Sequence, residues 1–280
     1  RFYDPLNDVA FKKVFGNENY ANITISFLNA ILEFTGENEI VEADFTFLNT
    51  ERQRLGKEKK KNLFDVYCTL RNGKRCLIEM QKGHVTGFDK RMVFYGTKAY
   101  AEQLSSGVPY SKICPVIAVA VTNFVMFPNK KEFKSIHEIR DRKTNEHDIE
   151  ELTFAFVELP KFIKKEHELK TNEDRWLFFF KEITKCEEVP SLLGQKDFTD
   201  ACHVLEKEQW TDDERDAYLK EFILETDEEG RMTDAVNSAL EKGEAKGKAE
   251  VARNLLKKGM AAADIADITG LAIEEIKKLK

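Results

Sequence analysis

The sequence predicts an α/β (α+β) fold: a mixed sheet flanked by helices over residues 1–160, then an all-helical C-terminal region. Three stretches carry that prediction. Residues 62–82, NLFDVYCTLRNGKRCLIEMQK, set two apolar runs either side of Asn72-Gly73, a local hairpin signal. Residues 115–122, PVIAVAVT, form a near-continuous apolar run that suits a central strand covered on both faces. From about residue 161 the pattern becomes helical. The composition divides this second region again, into a helical part at 161–238 and, at 239–280, a polar helix or linker with a small helical tail.

Taken in order, Asp4-Pro5 opens a first helix, a capping residue followed by Pro at the first helical position. Val9, Phe11, Val14 and Phe15 supply its apolar stripe, and Gly16 closes it. Residues 18–34 form a second amphipathic helix through Ile23, Phe27, Leu28, Ile31 and Leu32, ending near Gly36. Residues 40–48 read as a strand. Residues 51–62, ERQRLGKEKKKN, carry six basic and two acidic side chains. Such a run is either a solvated loop or a grip on a phosphate backbone, and its place directly before the hairpin favours the grip.

After the hairpin, residues 88–104 read as a helix on which Arg91, Tyr95 and Lys98 share one face. That face is either a half-buried polar rim or a basic, aromatic surface for nucleic acid. Residues 129–143, with six basic and three acidic side chains, read as a loop or short helix, and 152–159 as a further strand. In the helical part, Trp176 and the four apolar residues after it must pack onto something, whereas 206–229, with eleven acids to three bases, reads as a solvated surface. Residues 239–250, ALEKGEAKGKAE, form a polar helix or linker weakened by Gly243 and Gly247. In the tail, Ile265, Ile268, Leu271, Ile276 and Leu279 give an apolar face to two short helices joined at Thr269-Gly270.

The hairpin holds the chemistry. Each run carries one carboxylate where a strand prefers an apolar residue, Asp65 in LFDVYCTL and Glu79 in RCLIEMQ. A charge inside a buried strand is costly unless it is paired or binds a cation. Two facing carboxylates repel unless a divalent metal lies between them. A two-residue turn would place Asp65 opposite Met80 and send Glu79 to the other face. A three-residue turn, Arg71-Asn72-Gly73 with Gly73 left-handed in a bulge, places Asp65 opposite Glu79. Gln81 then shares their face by alternation, and Lys82 takes the opposite one. The bulged register is the expected one, because it gathers the polar residues in one place.

Read this way, Asp65 on one strand and Glu79-Met80-Gln81 on the next resemble the PD-(D/E)xK nuclease core, with Gln in place of the usual Lys. That substitution, with NDVAFKKVFG near the start and FDKRMVFYGTKAYAEQL after the hairpin, resembles the PD-(D/E)xK family of transposases and recombination-promoting nucleases of the Rpn type. The tail resembles the helix-turn-helix-like extension seen on many members. The resemblance implies a restriction-endonuclease-like sheet in a nuclease domain at 1–160 and a metal-dependent DNA endonuclease, in a mobile-element, recombination or defence setting. Asp65 and Glu79, with the backbone carbonyl of Met80, would hold Mg²⁺ or Mn²⁺. Gln81 would orient a water or a phosphate oxygen, since an amide neither acts as a base nor carries charge. Asp8 is either a first-turn acid that the helix dipole favours or a third acid of the site. The missing cation is expected from Lys90 first, then from Lys12 or Lys13. Arg52, Arg54, Lys57, Lys59, Lys60 and Lys61, with Arg91, Tyr95 and Lys98, are the expected DNA contacts.

Composition bounds these readings. The 280 residues carry 44 basic and 50 acidic side chains, a net −6 that by itself argues against a nucleic-acid binder. The imbalance is local, however: residues 1–160 hold 23 basic against 22 acidic side chains, and the excess acid lies beyond them. Five scattered cysteines with no CxxC suit a reducing compartment, and no 18-residue apolar run appears, so a cytoplasmic protein is expected. There is no HExxH, GxSxG or GxxxxGK[ST], and the five histidines are dispersed. Two rivals remain: a degenerate nuclease fold that binds DNA or a protein partner without cutting, and a purely structural α+β protein. In the tail, Ala272 stands where a Ser cap is usual, and Glu274 and Glu275 occupy the start of the last helix. Self-association through the C-terminal helices is therefore expected ahead of base reading.

Overall fold

The computed structural model describes residues 1–48, 51, 52, 61, 62, 64–104, 107 and 109–279. The first helix, α1 (Asp8–Phe15), begins later than the Asp4-Pro5 pattern predicts. The Asn7 side chain accepts from the backbone N–H groups of Val9 and Ala10 and so caps it. Asp4 instead closes a turn, accepting from Leu6 N at 2.9 Å. Two satisfied donors outweigh the local Asp-Pro preference. α2 (Ala21–Leu32) follows and ends on Glu33 in the left-handed region (φ 57°). The expected strand at 40–48 shrinks to β1 (Thr46–Phe47), because 42–44 form a 3-10 turn. β2 (Glu51–Arg52) and β3 (Lys61–Asn62) pair with each other as a separate ribbon.

β4 (Val66–Thr69) and β5 (Arg75–Gln81) form the predicted hairpin, with Cys68 opposite Cys76 and Thr69 opposite Arg75. Arg71–Gly73 make the turn, Leu70 N donates to Lys74 O at 2.7 Å, and Gly73 has φ 76°. A Cβ there would also lie 2.9 Å from Cys114 Sγ. Gly73→Ala is therefore expected to destabilise the protein by about 1–2 kcal/mol, the cost of the left-handed backbone, with the sulfur contact added. A thermal melt checks it; an unchanged Tm would mean that the turn tolerates another register.

α3 (Phe88–Ala101), β6 (Val116–Thr122), β7 (Lys134–Ile139) and β8 (Ile149–Glu158) complete the sheet, whose order is β1-β4-β5-β6-β8-β7. β5, β6 and β8 run parallel, and the outer pairings are antiparallel. β6 is buried along its whole length, as its apolar run predicts. β7 corrects the expectation of a loop or short helix at 129–143. As an edge strand its six residues are half-buried or exposed, so its alternation is blurred by polar side chains.

The sheet has two covered faces. One carries Cys76, Ile78, Met80, Ile117, Val119 and Val121, under α1, α2, α4 (Asn172–Glu182) and α5 (Lys196–Leu205). The run Trp176–Phe180 of α4 is buried there against Phe15 and Phe27, with Trp176 5.7 and 6.0 Å from those rings. The other face carries Leu77, Ala118 and Ala120 under Phe88, Met92 and Ala99 of α3. Gly96 lets that helix approach: a Cβ there would sit 2.9 Å from the Phe154 ring.

Residues beyond 160 thus complete the core. The compact units are Arg1–Phe222 and Ile223–Lys280, a different partition from the composition-based one at 160 and 238. A long helix, α6 (Asp212–Lys257), runs through the acidic and the polar stretches and through Gly243 and Gly247 without a break. In the second unit, α7 (Ala262–Thr269) and α8 (Ile273–Lys277) bury Ile265 and Ile276 with Ala252. Ile268, expected on that apolar face, is exposed. Glu275 accepts from Ala272 N at 3.1 Å, which recovers one donor at the start of α8.

Candidate active site

Continuing the β4/β5 register one step past Val66–Ile78 sets Asp65 against Glu79, as the bulged turn predicts. There the side chains take over the ladder. Asp65 N donates to Glu79 Oε1 at 3.1 Å, and Met80 N donates to Asp65 Oδ2 at 2.9 Å. Each strand's carboxylate thus accepts from the other strand's backbone, which holds the two acids side by side at the end of the hairpin. Glu79 is 6% exposed, an unusual degree of burial for a carboxylate side chain. Met80 buries its side chain on the opposite face, leaving only its backbone at the site.

Among the described residues, Lys12 supplies the nearest positive charge. Its Nζ lies 3.1 Å from Asp65 Oδ1 and 2.7 Å from Asp8 Oδ2. Asp8 and Lys12 are one helical turn apart on α1, whose apolar side is anchored by Phe11 and Phe15 in the core. Asp8 therefore reaches the pair through Lys12. Burial pulls the Lys12 ammonium down, but Asp65 and Asp8 together outweigh it and hold its pKa above the usual value. Burial pushes Asp65 from 3.8 to about 6, against the pull of Lys12. Burial and the adjacent Asp65 push Glu79 well above the ordinary glutamate range.

On the α3 side, Arg91 donates through Nη2 to Gln81 Oε1, and its guanidinium lies 4.6 Å from the centre of the Phe88 ring. Arg91 Nε is buried and finds no hydrogen-bond partner among the described residues. Tyr95 packs edge-on to Phe64, and burial together with Glu79 raises its phenol pKa. Lys98 lies 3.6 Å from Glu102 and over the Phe94 ring. Lys82, as alternation predicts, turns away and meets Asp4 at 3.0 Å.

Lys90 is the cation expected first. It lines a separate cavity with Val93, Phe127 and Phe154. Consecutive helical residues differ by about 100° in direction, and it is Arg91 that meets Gln81. Lys13 is paired with Glu214. The expected DNA contacts Arg54, Lys57, Lys59 and Lys60 lie outside the described residues, as do the side chains of Arg52 and Lys61. A cleft of about 650 Å³ is lined by Asn29, Glu33, Glu39 and Glu173 among others, and holds none of these groups.

Over residues 5–235 the chain matches the family model described as PD-(D/E)XK nuclease family transposase. The chain belongs to this family. No curated protein and no solved structure gives a significant match. Membership in the PD-(D/E)XK transposase family agrees with the mixed six-stranded sheet and its flanking helices, and indicates a nuclease or transposase-like function.

Nucleases of this family usually use a divalent metal, and the donor chemistry here fits one. Among the described residues no three His, Cys, Asp or Glu side chains are gathered into a metal cluster. The donors are instead two buried carboxylates short of positive charge. Mg²⁺ suits such a pair, because it is commonly held by one or two carboxylates and keeps several waters. Sequence reasoning ranked Lys12 below Lys90. The available signal was its i,i+4 spacing from Asp8, which places both residues on one side of α1.

Proposed function

We propose that the protein is a metal-dependent DNA endonuclease that hydrolyses phosphodiester bonds in a mobile-element, recombination or defence setting. The observation that carries this reading is the reciprocal hold of Asp65 and Glu79 on each other's strand, which keeps two acids together in a buried place. Asp65, Glu79 and the backbone carbonyl of Met80 would hold Mg²⁺ or Mn²⁺. When bound, the ion would lower the pKa of a water and offset charge on the scissile phosphate.

The chain's own groups then divide the remaining work. Lys12, held protonated by its two carboxylates, serves as a positive charge toward phosphate oxygens rather than as a base. Asp8 keeps that ammonium in place. Because Arg91 occupies the Gln81 oxygen, the amide NH₂ is the group Gln81 offers, so it donates to a phosphate oxygen or a water. Arg52, Arg54, Lys57, Lys59, Lys60 and Lys61 add sequence-blind, salt-dependent grip. Exposed Ile223, Met232, Val236 and Leu240 along α6 support self-association through the C-terminal helices. Among the described residues no helix is long and apolar enough to cross a membrane.

Gln81 at the usual lysine position favours a second reading, a nuclease fold that binds DNA or a protein partner without cutting. Supercoiled-plasmid cleavage with Mg²⁺ or Mn²⁺ separates the two. The wild type should nick the plasmid, and Asp65→Ala and Glu79→Ala should each lose at least about a hundredfold in rate. Equal nicking by all three proteins rules out the assignment of these acids. Binding with no nicking by the wild type selects the second reading.

A further inference from the structure

The cavity that claims Lys90 is about 360 Å³ and walled by Phe127, Phe154, Phe156, His137 and Val93. Phe127 and His137 each meet the buried Phe156 edge to face, at 5.3 and 5.4 Å, and are tilted 36° to one another. Burial and Lys130 hold the His137 imidazole below its ordinary pKa, so at neutral pH it is an uncharged hydrogen-bonding wall. Lys130 lies 5.0 Å over the Phe127 ring and 3.4 Å from His137 Nε2, and Lys90 belongs to the lining itself. Asp89 contributes one carboxylate to the lining.

Phe127 is held in place by an unusual arrangement. Glu158, 1% exposed, accepts from Met126 N at 2.7 Å and from Phe127 N at 3.1 Å. Lys161 pairs with Glu158 at 2.7 Å and donates to Phe127 O at 2.8 Å. A buried ion pair is weak evidence of stability. This one binds both backbone polar groups of a single wall residue. Two short links of chain connect the pocket to the carboxylate site. Lys90 at the pocket and Arg91 on Gln81 are consecutive in the first turns of α3, and Asn123, in the same β6-following loop as Phe127, donates to Gln81 O at 3.0 Å.

We propose that this cavity takes one base of the bound DNA strand, unstacked from its neighbours and laid against the Phe127 ring, with Phe156 behind it. An aromatic ring such as Phe127 stacks any base through its π-face, and the two lysines answer the flanking phosphates. Asp89 offers a polar partner to the edge of the base. An aliphatic peptide side chain would use neither the cations nor the flatness of the walls. The inference rests on DNA being the substrate, as proposed above.

Fluorescence anisotropy tests it without metal, so that no cleavage intervenes. The probe is a labelled single-stranded oligonucleotide, intact or with an abasic residue at each position in turn. One abasic position should weaken wild-type binding about tenfold, and Phe127→Ala should weaken the intact strand by a similar factor. The two losses should not add, because they remove the same contact. Phe127→Leu, which keeps bulk but no ring, should behave like Phe127→Ala and guards against a folding defect. An abasic series that binds like the intact strand, or losses that add, overturns the proposal. So does dAMP binding that depends on Phe127 while the abasic series shows no effect, which would mark a free-nucleotide pocket. If plasmid nicking is observed while the losses add, the pocket fails alone; if no oligonucleotide binds at all, the DNA reading fails with it.

Discussion

Lys12→Met should slow plasmid nicking at saturating metal by about a hundredfold and, at the same time, tighten metal binding. The two effects have one origin. The Lys12 ammonium lies 3.1 Å from Asp65, so it competes for that carboxylate with any bound cation. Removing it leaves the acidic pair more attractive to a divalent ion. The same ammonium is the nearest described positive charge that can face a phosphate, and losing one such electrostatic partner costs about 10²–10³ in rate. In the metal-free protein, Asp65 should rise above about 6 once the lysine that lowers it is gone. Metal titration followed by Tm, run beside the nicking assay, reads both quantities. Lys12→Arg should recover part of the rate. If Lys12 only props up the fold, metal affinity and rate will fall together, and this role is excluded.

The second large effect is on stability, and it has the opposite sign from an ordinary active-site truncation. In metal-free buffer at pH 7.5, Glu79→Gln should raise Tm by several degrees. Asp65 and Glu79 both hold protons more tightly in the folded chain than in the unfolded one, because burial penalises their charged forms. The folded state therefore binds the excess protons between the unfolded and folded pKa values, and stability falls as pH rises through that window. For Asp65 alone the window runs from 3.8 to about 6, and the loss amounts to about 3 kcal/mol at neutral pH. Gln at position 79 keeps an oxygen for Asp65 N without the charge. Its advantage should vanish below about pH 4, where the wild-type carboxylates are already protonated. Mg²⁺ or Mn²⁺ should raise the wild-type Tm at pH 7.5 and do much less for Glu79→Gln, since only a ligand that binds the folded state stabilises it. A variant no more stable than wild type at pH 7.5 would mean that the pair carries no such strain.

The core of the site was legible because it is local. Arg71-Asn72-Gly73 sets the bulge, the bulge sets Asp65 against Glu79, and two-residue alternation then places Gln81 beside them and Lys82 away. All of that follows from the geometry of 18 consecutive residues, Asp65 to Lys82. β6 was equally plain, because a strand covered on both faces writes an unbroken apolar run. β7 was not: an edge strand is half solvated, and KSIHEI offers polar residues on both sides.

The sequence by itself determined the hairpin and its register, the apolar faces of the helices and the family to which they belong. Only the tertiary structure decided which cation meets the acids, since Lys12 and Asp65 lie on separate elements and meet only after α1 packs on the core. It also decided that Arg91 rather than Lys90 turns toward Gln81, and that α4 and α5 complete the nuclease core instead of standing apart. Turn and alternation are set by torsions within one segment. The phase of a docked helix and the partner of an apolar run are set by packing between segments, which no single stretch of sequence contains.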